Sequence, residues 1–197
     1  MKTVSMSKHH SAELRRTPSG PWVIDTRDLG RRAGLSRRYH RTVTTEGDFG
    51  LDLIRLAPGE EVEIDILAEA VVEGVLITGS VAGPTTAECS RCLDPFTGEV
   101  EIRVTELFAY PDSATDESTD EDEVSRVVDD LIDLEPAVRD SLLTALPSSP
   151  LCEPDCKGLC PECGGKWADL GPNHTHETMD PRWAALQKRF GGTEEEN

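Results

Sequence analysis

The residues best placed to do chemistry in this chain are cysteines. Cys89-Ser-Arg-Cys92 and Cys160-Pro-Glu-Cys163 are both C-x-x-C pairs, and Gly164 follows the second. Two residues between two thiolates let a tight turn aim both sulfurs at one ion, and a glycine after the second cysteine permits the backbone in which amides bond the sulfurs. Cys152 and Cys156 lie just upstream of the second pair, and His174-Thr-His176 lies downstream. Positions i and i+2 of an extended segment face the same side, so both imidazoles can reach one ion. Eight donors suit two tetrahedral sites. The preferred division sets Cys89 and Cys92 with Cys152 and Cys156, and Cys160 and Cys163 with His174 and His176. Two others stand beside it: a single zinc ribbon made from the two C-x-x-C pairs, or all four C-terminal cysteines on one ion. In each case the cofactor is structural zinc, one or two ions, because every donor is protein and no position stays open for a substrate.

Other chemistries fit less well. Cys156, Cys160 and Cys163 have the C-x-x-x-C-x-x-C spacing of a radical-enzyme iron–sulfur cluster, but only 34 residues follow Cys163, too few for the barrel such enzymes need. No βαβ pattern surrounds Cys89, as a thioredoxin-like redox pair would require. Catalytic triads, phosphate loops and dinucleotide fingerprints are absent. The many carboxylates fall on alternating strand positions or in one acidic run, the pattern of a solvated surface. The expectation is a protein that is not an enzyme and has no small-molecule substrate.

The N-terminal sequence MKTVSMSKHHSAELRR has no apolar stretch, and no run approaches the roughly 20 residues of a membrane helix. The expected location is cytoplasmic, with no membrane partner. Paired cysteines in a reducing compartment point to metal rather than disulfides. The net charge is −18, unevenly spread. Residues 1–41 hold ten Lys/Arg against three Asp/Glu, about +7; the remainder holds ten against 35, about −25. Phosphate repels an acidic body, so only the N-terminal arm suits RNA. Trp22, Arg27, Arg31, Arg32, Arg37, Arg38 and Arg41 form the candidate RNA- or ribosome-facing set. The acidic body suits a basic ribosomal protein, which makes an acidic adaptor or chaperone the alternative reading.

The elements that must position these residues follow from periodicity. Residues 1–20 are polar and basic, a flexible tail. Asp25 is placed to cap a short helix ending near Gly30 or Gly34, anchored by Trp22, Val23, Ile24 and Leu29. Val62, Ile64, Ile66, Ala68, Ala70 and Val72 alternate with Glu61, Glu63, Asp65, Leu67, Glu69 and Val71, a strand with one buried face. Glu73-Gly74 turns the chain into a return strand through Val75, Ile77, Gly79 and Val81. Further strands are expected near 84–89 and from Gly98 to Phe108. An acidic loop occupies about 111–125. A helix at about 134–146 is stopped by Pro147, and a short one begins at Asp180-Pro181 with Trp183, Leu186 and Phe190 on one side. The fold class is α+β: an antiparallel meander or small barrel with a few packed helices over residues 21–147, a zinc-bound Cys/His-rich lobe over 148–190, and a disordered tail at 191–197. Hydrophobic residues are 37% and aromatics 5% of the chain, so the core is modest and gains from a metal.

Several stretches together resemble the YceD family in its actinobacterial form, over roughly residues 22–190. They are DTRDLGRR at 25–32, EGVLITG at 73–79, CSRCLDPF at 89–96, LFAYPDS at 107–113, IDLEP, RDSLLTALPSSPLC through 152, DCKGLCPECG at 155–164 and DPRWAAL at 180–186. The resemblance implies a large-subunit ribosomal RNA accumulation factor, linked to the 23S rRNA precursor or to large-subunit ribosomal proteins, with no established enzymatic activity. Genes of the family commonly neighbour that of a small zinc-ribbon protein of the large subunit. Many members carry Cys-x-Cys where this chain has His174-Thr-His176, which implies that the two histidines are ligands. Protein purified without chelator should contain one to two zinc ions per chain by elemental analysis, and less than about half an equivalent would refute the metal reading.

Overall fold

The computed structural model describes residues 17–111, 113–118, 124–176, 181–183 and 186. In chain order the elements are β1 (Val23–Asp25), β2 (Ser36–Thr44), β3 (Phe49–Leu51), β4 (Ile54–Leu56), β5 (Glu61–Ala70), β6 (Gly74–Glu88), β7 (Pro95–Ala109), α1 (Ala114–Ser118), β8 (Leu131–Asp133) and α2 (Glu135–Ala145), then a 3-10 turn at Pro181–Trp183. No helix among the described residues is long and apolar enough to cross a membrane.

The alternation in β5 sets the sheet. Val62, Ile64, Ile66, Ala68 and Ala70 are all buried, while the acidic residues between them face outward. β6 returns antiparallel to β5 and then to β7, and β2 closes the other side of β5. β6 is the axis: β7 pairs with its whole length, whereas its opposite edge is shared by β5 up to Ala82 and by β4 at Thr86–Ala87. Two strands are expected here, one through Val81 and one near 84–89, but a single strand runs through. Pro84 falls between the β5 and β4 ladders, where one missing N–H leaves no bond unmade. The strands expected near 84–89 and at 98–108 are therefore the second half of β6 and a longer β7.

The inner face of the sheet packs Ile77, Val81, Ile102, Val104 and Phe108 against a two-stranded ribbon of β1 and β8 and against α2. Ile24 and Ile132 face each other in that ribbon, and Val138 and Leu142 supply the buried side of α2. The fold is α+β and mostly antiparallel. Among the described residues no pairing joins β2 to β7, so the meander is open rather than a barrel.

Some local expectations need correction. No helix forms after Asp25. Residues 23–25 pair with β8, and the Asp25 carboxylate accepts the Arg27 N–H (3.0 Å) and the Arg27 guanidinium, a local turn in place of a helix cap. Long-range burial of Ile24 outweighs a weak local helix signal. The acidic stretch contains α1, and its Asp116 forms a largely buried ion pair with Arg126. Residues 112 and 119–123 of that stretch lie outside the described residues, as do 1–16, Asp180, Phe190 and 191–197. Trp183 and Leu186 are exposed.

Gly79 marks a close approach between β5 and β6. A Cβ there would sit 2.2 Å from the Asp65 carbonyl oxygen and 2.6 Å from the Ile66 Cα. Both are backbone atoms, so no rotamer relieves the clash. Gly79→Ala should destabilise the protein by about 1–3 kcal/mol, seen as a lower urea midpoint at unchanged slope. An unchanged midpoint would mean that β5 and β6 separate there without cost.

Candidate metal centres

Cys89 follows the last residue of β6 and Cys92 lies shortly before β7, so the first C-x-x-C pair is the turn of the long β6–β7 hairpin. In that turn the Leu93 N–H donates to the Cys89 carbonyl (2.9 Å) and the Cys89 N–H to the Asp94 carbonyl (2.9 Å). The second pair repeats the pattern: Gly164 N–H to Cys160 carbonyl (2.8 Å), Cys160 N–H to Gly165 carbonyl (2.7 Å). Leu93 has φ +62° and Gly164 φ +71°. The two turns are thus the same knuckle built twice, once with the glycine that favours a left-handed backbone and once with a leucine held there at a cost of about 1–2 kcal/mol.

The knuckles fall in separate donor clusters. The donor atoms of Cys89, Cys92, Cys152 and Cys156 lie within 4.8 Å of one another, and so do those of Cys160, Cys163, His174 and His176. This is the grouping of the first division, not of the single ribbon or the four-cysteine set. The Cys89 and Cys156 sulfurs are 3.7 Å apart, as are those of Cys92 and Cys152. Cys163 Sγ is 3.6 Å from His174 Nε2. A tetrahedral ion with metal–sulfur bonds of about 2.3 Å and metal–nitrogen bonds of about 2.05 Å, zinc's lengths, spaces two sulfurs about 3.8 Å apart and a sulfur and nitrogen about 3.6 Å apart. Both clusters can hold a metal ion at these spacings.

Thiol chemistry agrees with that fit. Burial raises the Cys89 thiol, but amide N–H groups of Cys152, Cys92 and Arg91 outweigh it and bring the thiol down to about 6. Cys152 is exposed as a residue, yet its sulfur faces the other three, and desolvation followed by its sulfur neighbours pushes it up to about 12. One thiolate therefore suppresses the next, and a cation among the four reverses that. In the second centre the Cys163 N–H is the main cause that lowers the Cys160 thiol.

Contacts outside the ligands lock the lobe onto the hairpin turn. Lys166, after the second knuckle, forms an ion pair with Asp94, after the first, which holds the Asp94 carboxyl below its ordinary range. Arg91 donates to the Cys156 carbonyl (2.8 Å), and the Ser90 N–H to the Pro150 carbonyl (2.9 Å). Trp167 meets His174 edge-on at 5.4 Å. Sequence reading did not find Asp94, Lys166, Arg91 or Trp167, because only the folded register brings them together. From 151 to 176 just Gly158 and Cys160 are buried, so apolar burial alone does not hold this lobe.

The basic set is distributed differently from a continuous stripe. Arg27 pairs with Asp25, whose carboxyl it holds at about 2, Arg31 with Asp130 (2.9 Å), Arg37 with Asp28 (2.7 Å) and Arg38 with Asp65 (3.6 Å). Arg31 also stacks over Tyr110, and Arg37 over Tyr39. Arg41 donates to the Val23 carbonyl. Arg32 is exposed and has no carboxylate partner among the described residues. Trp22 is in the core against Phe49, 3% exposed, and presents no ring to a partner. Its place beside buried Ile24 decides this: the ring closes the end of the β1–β8 ribbon.

Replacing a ligand in one centre should spare the other. Cys89→Ser should release the metal shared with Cys92, Cys152 and Cys156 and leave one equivalent bound, and Cys160→Ser should release only the other. Metal content and a thiol-accessibility assay read the result. A Cys89→Ser protein with no metal at all would point to a coupled or shared site.

Comparison with known proteins converges on one family. The family model described as Large ribosomal RNA subunit accumulation protein YceD matches residues 77–188, a stretch that contains all eight metal donors. An uncharacterized Mycobacterium tuberculosis protein is 50% identical over 186 residues, covering 94% of this chain and 89% of that protein. An uncharacterized Mycobacterium leprae protein is 40% identical over 182 residues, covering 92% and 83%. The uncharacterized protein YlbN of Bacillus subtilis is 32% identical over 138 residues, covering 70% and 77%. No solved structure matches. With a family match over more than half its length and a relative half-identical along nearly all of it, the chain belongs to the YceD family.

Proposed function

We propose that this chain acts in the cytoplasm, without chemistry of its own, in the accumulation or processing of 23S rRNA or in early assembly of the large ribosomal subunit. The observation that carries this is the family match, whose description names large-subunit ribosomal RNA accumulation. Two donor clusters that could each hold structural zinc agree with it. An all-sulfur set and a two-sulfur, two-nitrogen set, each tetrahedral in spacing and made only of protein donors, suit zinc and leave no coordination position for a substrate. The described part of the zinc lobe, residues 148–176, is then a fixed platform on the hairpin turn.

RNA contact falls to the arginines of residues 27–41. Arg31 and Arg37 also brace the fold through Asp130, Tyr110, Asp28 and Tyr39, so they are poor probes. Arg32, with no carboxylate partner among the described residues, and Arg38, held by one exposed 3.6 Å contact, are the freest. Arg32→Glu with Arg38→Glu should leave fold and metal content intact. The pair should remove co-sedimentation with large-subunit precursors and lower the salt slope of binding by about 0.9 for each phosphate that is no longer neutralised.

One observation favours the adaptor reading. On the outer face of the sheet a groove of about 560 Å³ is lined by Glu61, Glu63, Glu99 and Glu101 around Ala82, Gly83 and Pro84. None of the four carboxylates has a cationic partner among the described residues, so the groove suits a basic protein segment. If the arginine variant co-sediments like wild type while Glu61→Gln with Glu63→Gln loses a basic ribosomal protein, the adaptor reading replaces direct RNA contact.

A further inference from the structure

β7 is an edge strand of 15 residues. Its inner edge is bonded to β6 throughout. Among the described residues its outer edge is engaged only at the end, where the Ala109 N–H donates to the Ser125 carbonyl and the Ala109 carbonyl accepts from the Val127 N–H. Among the described residues, the remaining outward backbone groups from Pro95 to Phe108 have no backbone partner. An unpaired edge of this length is a template for another strand unless something covers it.

Its charges choose the occupant. β7 runs from Pro95 to Ala109, so its midpoint is Ile102. Laid antiparallel against a second copy about that midpoint, Ile102 faces Ile102, Val100 faces Val104, and Glu101 faces Arg103 twice. All inner-face residues stay inner, as the two-residue period demands. Moving the centre to Arg103 sets two arginines opposite each other, and moving it to Glu101 sets two glutamates opposite. Like charges directly opposed are destabilising, and opposite charges stabilising. Glu101 and Arg103 are both exposed, and neither has an ion-pair or hydrogen-bond partner among the described residues. Glu101 also stands in the acidic groove, in line with Ala82 and Glu63 across the sheet. Self-pairing would bring the partner's Arg103 beside that cluster and offset part of its repulsion.

We propose that β7 pairs with β7 of a second copy, centred on Ile102, to give a dimer with one continuous antiparallel sheet. This goes beyond the role in ribosomal RNA accumulation and stands apart from it. The metal centres lie beyond the hairpin turn, outside the paired region, and keep their ligands within each chain.

The test is sedimentation equilibrium of the full chain, purified without chelator, across the micromolar range. Wild type should show twice the 21.5 kDa chain mass. Arg103→Glu and Glu101→Arg should each raise the dissociation constant at least about tenfold, with circular dichroism and metal content unchanged. The double swap, Glu101→Arg with Arg103→Glu, restores opposite charges in the same register and should restore the dimer. Amide exchange in β7 should slow as concentration rises. A wild-type mass that stays at one chain overturns the proposal, as does a dimer that both single reversals leave intact. Edge amides protected only when another protein is added would assign the strand to a different partner, and would overturn it too.

Discussion

Four sulfurs held within 4.8 Å of one another can all be thiolates only around a cation, and the described lobe after α2, residues 148–176, has little apolar core to replace that link. Two like charges 4 Å apart repel by about 4 kcal/mol at an effective dielectric of 20, so an empty cluster keeps most of its thiols protonated and unlinked. Amide N–H groups bring the Cys89 thiol to about 6, while desolvation first and the neighbouring sulfurs second push Cys152 up to about 12. With just two buried residues between 151 and 176, no core takes over if the metal link fails. The bonds from Arg91 and Lys166 then refine a position that the sulfurs set, since exposed ion pairs alone are worth about 1 kcal/mol or less.

The sheet determines where this link sits. Because β6 and β7 pair over 15 residues each, their turn projects well past the end of β5, which leaves β6 at Ala82. A shorter hairpin would bury the turn among β3, β4 and β5. The long one presents Cys89 and Cys92 where Cys152 and Cys156 can arrive, just after α2 and Pro147 have ended the body. Core and metal centre are thus joined by a single rigid element. The buried positions of that element (Val75, Ile77, Val81) fix the register that aims the first knuckle.

What is legible in the sequence follows the range of the interactions. The strict alternation of 61–70, the stop at Pro147 and the spacing of eight donors are local signals, and each has its counterpart in the structure. The long reach of β6 is not legible, since the stretch through Val81 and that near 84–89 read as two strands until both are seen to pair with one long β7. The helix expected after Asp25 rests on sound local signals, and a strand partner more than 100 residues away overrides them. Trp22 is a similar case, since an aromatic beside a basic run reads as a contact residue until its neighbours in the core are seen. The Leu93 knuckle is the reverse: its twin at Gly164 carries the glycine that advertises the turn, and the first site does not.

Charge decides how a protein of net −18 can work beside RNA. The +7 of residues 1–41 overstates the field at the arginines, because Arg27, Arg31, Arg37 and Arg38 each face a carboxylate. Among the described residues of that set, Arg32 and Arg41 face no carboxylate. The four unpaired glutamates of the groove lie on the outward face of β5 and β7, while Arg37 and Arg41 share inward register positions of β2 with Val43. At physiological salt, fields fade over about 8 Å. The two faces therefore act on what touches each of them, not on one averaged charge. Arg37 and Arg41 stand apart from the glutamates, whereas Arg38, held by Asp65 on the outward face, lies on the same side as the groove.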